Sequence, residues 1–258
     1  MKIISVVNQK GGVGKTTSAV NIAAEVGLLG FKTLIVDIDP QGNATSGVGL
    51  EKRKLNSTVY EALLKLCKTQ ECIVETEFKN LKIIPSSISL AGAEIEMIEL
   101  ENRVGRLKDV LAEVSSEFDY AFIDCPPSLG LLTLNALVAC NSVLIPTQCE
   151  FYALEGLTQL INTLKTVKRT YNPAIKIEGV LLTMFDTRLK LTIEVADEIK
   201  KYFPNQVFKT CIPRNVKLSE APSYGQPVIY FEKHSKGAKA YHEVAVEFTA
   251  ETTSRKEV

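Results

Sequence analysis

Apolar residues along the chain group into two kinds of segment that alternate. Short runs rich in Ile, Val, Leu and Phe lie at residues 3–7, 32–36, 81–85, 120–124, 142–146, 176–184 and 207–212, with the length and bounding turns of buried strands. Between them, residues 18–29, 55–67, 151–170, 191–202 and 236–249 read as helices. Over residues 91–116 the apolar positions Ile95, Ile98, Val104, Leu107 and Leu111 keep helical spacing, which predicts one long surface helix or two short ones. Gly30 supplies a stop behind the first helix, and Pro40 ends the ladder begun at residue 32. Strands alternating with helices over the whole length predict an α/β fold: one doubly wound, mainly parallel sheet with helices on both faces. No linker and no internal repeat is visible, so residues 1–258 are expected to form a single domain.

Composition narrows the classes without choosing one. Hydrophobic residues make up 45% and charged residues 23%, as in a soluble globular protein. Thirty Lys and Arg balance thirty Asp and Glu, which argues against coating nucleic acid through bulk charge but leaves a local basic patch open. No apolar run approaches the roughly 20 residues of a membrane span, and the chain begins in a core strand, so no signal peptide and a cytoplasmic location are expected. Six cysteines, at 67, 72, 125, 140, 149 and 211, form no C-x-x-C pair and read as buried free thiols. Only two histidines are present, neither near a cysteine pair, so a zinc site is not expected.

The chemistry concentrates where predicted strands end. After the first strand comes Asn-Gln-Lys-Gly-Gly-Val-Gly-Lys-Thr-Thr, residues 8–17, and then a helix. Strand, glycine-rich turn and helix N-terminus together are the context of a phosphate-binding loop. Gly11, Gly12 and Gly14 lack Cβ atoms, so consecutive N–H groups around Val13 can curl about an anion. The helix supplies only about half a positive charge, whereas a terminal phosphate carries roughly −1.5 to −2. Lys15 and a magnesium ion held by the Thr16 hydroxyl, with Thr17 following, can supply the remainder. Asp37 and Asp39 leave the second strand on one face at its C-terminal edge, where ligands of open α/β sheets sit. Asp37 reads equally as a helix cap or turn former. The run 120–124 ends in Asp124, the form of a Walker B strand whose carboxylate orients magnesium.

The loop departs from the standard G-x-x-x-x-G-K-[ST] pattern, with Gln9 where glycine is required and a second lysine, Lys10, opening Lys-Gly-Gly-Val-Gly-Lys-Thr-Thr. It resembles the deviant Walker A loop of the ParA/MinD-type ATPases. Asp-Ile-Asp-Pro-Gln-Gly-Asn at 37–43, Asp-Cys-Pro-Pro-Ser at 124–128 and the segment 212–227 resemble the ParA/Soj chromosome-partitioning branch over nearly the entire chain. The resemblance implies a P-loop ATPase with ATP and Mg2+ as cofactors. Catalysis would fall to Lys10, reaching across a homodimer to the partner's nucleotide, with Lys15, and with Asp39 positioning the attacking water. Asp37 would stand near the magnesium, and Met184, Pro213 and Arg214 would border the adenine. The ATP-bound homodimer would bind DNA without sequence preference through Arg188 and Lys217. Lys217 stands where relatives often carry arginine; Lys190, Lys233, Lys236 and Lys239 are further candidates for the DNA face, each read more simply as an ordinary solvated lysine. A ParB-type centromere-binding partner would stimulate slow turnover, and the protein would be nucleoid-associated. Two alternatives share the loop. A MinD-like membrane-cycling regulator needs a basic amphipathic C-terminal helix, which residues 244–258, acidic and poor in large apolar side chains, disfavour. A metabolic ligase or iron-sulfur ATPase finds no convincing cysteine set.

Overall fold

A computed structural model describes residues 1–253. Seven strands, β1 (Lys2–Val6), β2 (Thr33–Asp37), β3 (Val74–Glu75), β4 (Leu81–Ile84), β5 (Tyr120–Asp124), β6 (Ser142–Gln148) and β7 (Lys176–Thr183), form one sheet in the order β3-β4-β2-β5-β1-β6-β7. All pair in parallel except the short β3. The helices are α1 (Lys15–Leu28), α2 (Asn43–Gly47), α3 (Val59–Leu64), α4 (Leu90–Glu96), α5 (Arg106–Glu113), α6 (Leu131–Ala139), α7 (Ala153–Thr170), α8 (Lys190–Tyr202), α9 (Val216–Glu220), α10 (Val228–Phe231) and α11 (Lys236–Thr253).

Strand alternation splits the interior into two cores. On β2, Leu34 and Val36 face one layer and Ile35 the other; on β5, Ala121 and Ile123 oppose Tyr120 and Phe122. Helices α3 to α8 cover the first face, where α7 contributes Leu157, Leu160, Leu164 and Val167 at helical spacing. On the other face α1 lies between the sheet and α11, which is why it is buried almost all round, from Ser18 to Gly27. The expected sheet and its two helical layers are therefore present.

Several boundaries differ from the periodicity. Residues 207–212 are not a strand; an isolated bridge pairs Val207 with Val180 of β7, and a second joins Phe185 to Pro213 just beyond. Phe208 N–H donates to the Val180 carbonyl and Ile212 N–H to that of Leu182, but Lys209 and Thr210 N–H donate to the Glu247 carboxylate of α11. That carboxylate pulls the middle of the segment out of the ladder. Helix 55–67 shrinks to α3, opened by a capping box in which Thr58 and Glu61 bond reciprocally and closed by left-handed Lys65. Residues 91–116 take the second of the two readings, short helices α4 and α5, parted where Leu100 is extended, Asn102 is left-handed, and the buried Asn135 amide of α6 bonds the Leu107 N–H and the Arg103 carbonyl. The ladder of β2 ends at Asp37, before Pro40. Gly30, at φ 103°, follows α1 as the expected stop. The acidic tail read at 244–258 is described only as far as α11, and its last residues lie outside the described part of the chain.

Candidate nucleotide site

The C-terminal ends of β1, β2, β5, β6 and β7 face one edge, and every loop singled out for phosphate chemistry leaves from it. Central β1 runs into residues 7–14, and α1 begins at Lys15. The turn needs its glycines: Gly12 sits at φ 75° and Gly14, at φ 87°, is the N-cap residue of α1. Gly14 has no side chain to cap the helix, so the first-turn N–H groups are left to an anion. Gly11 and Gly12 are exposed, with open space where a Cβ would stand. Val13 is buried, and its carbonyl accepts the Thr183 hydroxyl at 2.8 Å, tying the loop to the end of β7. Asn8 pins the loop from beneath, donating to the Pro146 carbonyl at 2.8 Å and accepting the Lys10 N–H at 3.0 Å. The carbonyl of half-buried Thr17 accepts the Asn21 amide at 2.7 Å.

Lys15 is 6% exposed, and its ammonium donates to the Lys10 carbonyl across the loop at 3.1 Å. Burial lowers its pKa, while the charges of Asp124, Cys125 and Asp39 raise it again. Lys10 pairs with Glu150, both side chains partly exposed.

Asp37 and Asp124 are register partners on β2 and β5, and both are fully buried. Burial raises Asp37 to about 6, against the hydrogen bonds it accepts. Those come from the Thr45 N–H at 2.8 Å, the Thr45 hydroxyl at 2.7 Å and the Asp39 N–H at 3.2 Å. Asp37 thus closes the turn into α2, as its reading as a turn former expects. Asp124 is different. Burial and then the Asp37 charge push it well above the usual carboxylate range, and among the described residues neither oxygen meets a partner in good hydrogen-bonding geometry. The nearby Thr16 hydroxyl and Lys15 ammonium favour its charged form. Asp39, 8% exposed, accepts the Gln41 N–H at 2.9 Å and stands within electrostatic range of Lys15 and Asp124.

An orphaned buried carboxylate beside a threonine hydroxyl is a donor set suited to a hard, oxygen-seeking cation. No cluster of three or more His, Cys, Asp or Glu that could hold a metal exists among the described residues. Asp124 and Thr16 are two oxygen donors that could contribute to holding magnesium, with phosphate oxygens and water completing its ligands.

The remaining predicted residues gather at the ends of β7 and the 207–213 segment. Met184 has left-handed φ (50°), and the following Phe185 bridges to Pro213. A cleft of about 700 Å³ is lined there by Asp186, Arg188, Pro213, Arg214 and Lys236. Exposed Arg188 forks onto Asp186 at 2.8 and 2.6 Å, holding that carboxyl down to about 2. Lys217 bonds Glu220 at 2.8 Å and lies 5.6 Å from the Phe231 ring centre. Lys190 pairs with Glu194. Sequence reasoning missed Thr45, Thr183 and Glu150. Thr183, at the end of a strand, was open to the same edge argument as Asp124; nothing local marks the other two.

The AAA domain family model (AAA_31) matches residues 1–177. The chain is 54% identical over 249 residues to the sporulation initiation inhibitor protein Soj of Bacillus subtilis, covering 96% of this chain and 98% of that one. It is 52% identical over 240 residues to the chromosome partitioning protein ParA of Myxococcus xanthus, covering 93% of this chain and 85% of that one. A cobyrinic acid a,c-diamide synthase from Mycobacterium smegmatis, solved with an ATP analogue and magnesium, superposes with a TM-score of 0.83 at 36% identity, covering 95% of this chain and 93% of that one. Glycine loop, buried carboxylates and full-length likeness lead to one conclusion: the chain belongs to the Soj/ParA family of chromosome-partitioning ATPases.

Proposed function

We propose that this ATPase is a nucleotide-timed switch for DNA partitioning, one domain over residues 1–258. It takes up ATP with magnesium, closes as a homodimer, holds DNA without sequence preference while closed, and releases it on hydrolysis. The observation that carries this reading is the buried Asp124 carboxylate, with no hydrogen-bond partner in good geometry, near Thr16 and Lys15 of a loop whose helix end is uncapped.

In this reading Gly11 to Thr17 cradle the phosphates and Lys15 compensates their outer charge. Thr16 and Asp124 would hold magnesium, with Asp37 keeping the carboxylate cluster and the Asp39 turn in place through Thr45. Bound magnesium would neutralise phosphate charge and so favour its transfer to water. Asp39, the carboxylate on the exposed side of the cluster, orients that water. Met184, Pro213 and Arg214 border the base.

Lys10 acts across the dimer. Its pair with Glu150 is partly exposed on both sides, and such a pair is worth about 0–1 kcal/mol, less than a triphosphate offers a cation. The open space over Gly11 and Gly12 suits close approach of a second copy. Arg188 and Lys217 are each neutralised by an acid of their own segment, so phosphates of DNA must displace Asp186 and Glu220. Two such faces brought together explain how a neutral chain can bind DNA only when dimerised. A ParB-type partner would accelerate the slow intrinsic hydrolysis, and the protein would reside on the nucleoid in the cytoplasm.

A lipid target is disfavoured by packing. The apolar face of α11, Tyr241, Val244, Ala245 and Phe248, is buried against the α1 layer, and among the described residues no helix is long and apolar enough to cross a membrane.

Asp39→Ala tests the catalytic arrangement. Hydrolysis should fall about 100-fold or more while light scattering still shows dimers with magnesium ATP. Unchanged turnover, or monomers with ATP, would contradict the assignment.

A further inference from the structure

We propose that Cys67 and Cys72 form a reversible redox site, closing an internal disulfide by exchange with a low-molecular-weight disulfide. Their sulfurs lie 3.1 Å apart in the thiol state, within hydrogen-bonding contact. A disulfide needs about 2.05 Å between sulfurs, so closure requires a movement of roughly 1 Å at side chains that already face each other.

The pair is held in place by its surroundings. Left-handed Lys65 ends α3, and residues 69–72 form a single 3-10 turn ending at Cys72. The Thr69 N–H donates to the Glu113 carboxylate at 3.3 Å and the Gln70 amide to that of Glu117 at 2.7 Å, so residues on either side of the α5 C-terminus brace the turn. The sulfur contact is thus a built juxtaposition between the end of α3 and a fixed turn. Through Thr58 and Glu61 the same α3 lines a cleft with Pro40 and Gln41, one short helix away from the Asp39 loop.

The two thiols are unequal, which sets the order of events. Cys67 is half-buried and reachable; Cys72 is fully buried, and burial with the neighbouring Cys67 raises its pKa. The attacking sulfur is therefore Cys67 and the resolving one Cys72. The Cys67 thiolate attacks one sulfur of the small disulfide, that S–S bond breaks, and one small thiolate leaves and takes up a proton. Cys72 then gives up its proton and attacks the Cys67 sulfur, expelling the second small thiol. Two protein thiols are oxidised to one disulfide, and one small disulfide is reduced to two thiols. With so few residues in the closed loop the bond constrains the unfolded chain little, so it acts as a reversible mark rather than a staple.

The folded full-length protein is equilibrated in glutathione buffers of increasing disulfide fraction, quenched in acid, alkylated and digested with trypsin without reduction. Cleavage after Lys65, Lys68 and Lys79 separates residues 66–68 from 69–79, so an internal bond appears as a single linked species of these two peptides. The linked species should appear in wild type, vanish on treatment with dithiothreitol, and be replaced in Cys72→Ser by a glutathione adduct on Cys67. Full alkylation of both cysteines in the most oxidising buffer would overturn the proposal. So would a persistent adduct on wild-type Cys67 without linkage, an unmodified Cys67 in Cys72→Ser, or oxidation confined to Cys149 and Cys211.

Discussion

Lys15 shows how a single residue is set between opposing demands. Burial lowers its pKa, and the nearby carboxylates of Asp124 and Asp39 offset only part of that. Lys15→Ala should lower ATP affinity by about 100-fold or more, roughly 3 kcal/mol for one charge-assisted contact. Its melting temperature without nucleotide should hold, because the deleted charge is penalised by burial. Calorimetry showing wild-type affinity would contradict the loop assignment. Lys15, Thr16 and the three glycines were legible because their spacing is local and fixed by the turn. Glu150 was not, since it meets Lys10 across 140 residues of sequence; nor was the way Asp37 is held, which depends on Thr45 arriving from α2.

Among the elements, α1 joins site and core. Its small residues allow close packing, and Gly27 marks the tightest approach: a Cβ there would stand 2.5 Å from the Lys79 carbonyl. The Asn80 amide also bonds the Gly27 carbonyl at 3.1 Å, fixing the loop before β4 against the helix. Helix propensity alone favours Gly27→Ala by about 1 kcal/mol, whereas overpacking against backbone costs about 1–3 kcal/mol. The expected outcome is net destabilisation of up to about 2 kcal/mol in urea unfolding. A more stable variant would show that α1 does not pack against this loop. Strands and the longer helices were legible from their periods. The breaks were not, because distant polar side chains make them: Glu247 diverts residues 207–212 and Asn135 holds the break before α5. The capping box of α3, Thr-Val-Tyr-Glu, was present in the sequence and marks its true start.

For the whole molecule the balance of thirty positive and thirty negative side chains means that any affinity for DNA must come from local arrangement. Arg188 is strongly exposed and restrained by Asp186 of its own segment. Arg188→Glu should spare ATP-dependent pairing yet weaken DNA retention at least tenfold, about 1.4 kcal/mol, and reduce the steepness of its salt dependence. Retention equal to wild type at matched salt would remove Arg188 from the DNA face. Charge balance was legible from composition, but the cis pairing of Arg188 and Lys217 required the folded chain.

The central claim, that one triphosphate is shared by two copies through Lys10, is tested most directly by light scattering of wild type and Lys10→Ala with ADP and with ATP in magnesium. Wild type should change from one chain's mass to two on exchanging ADP for ATP, and Lys10→Ala should remain single in both. A wild type that stays single with ATP, or a Lys10→Ala variant that pairs as wild type does, would contradict the account.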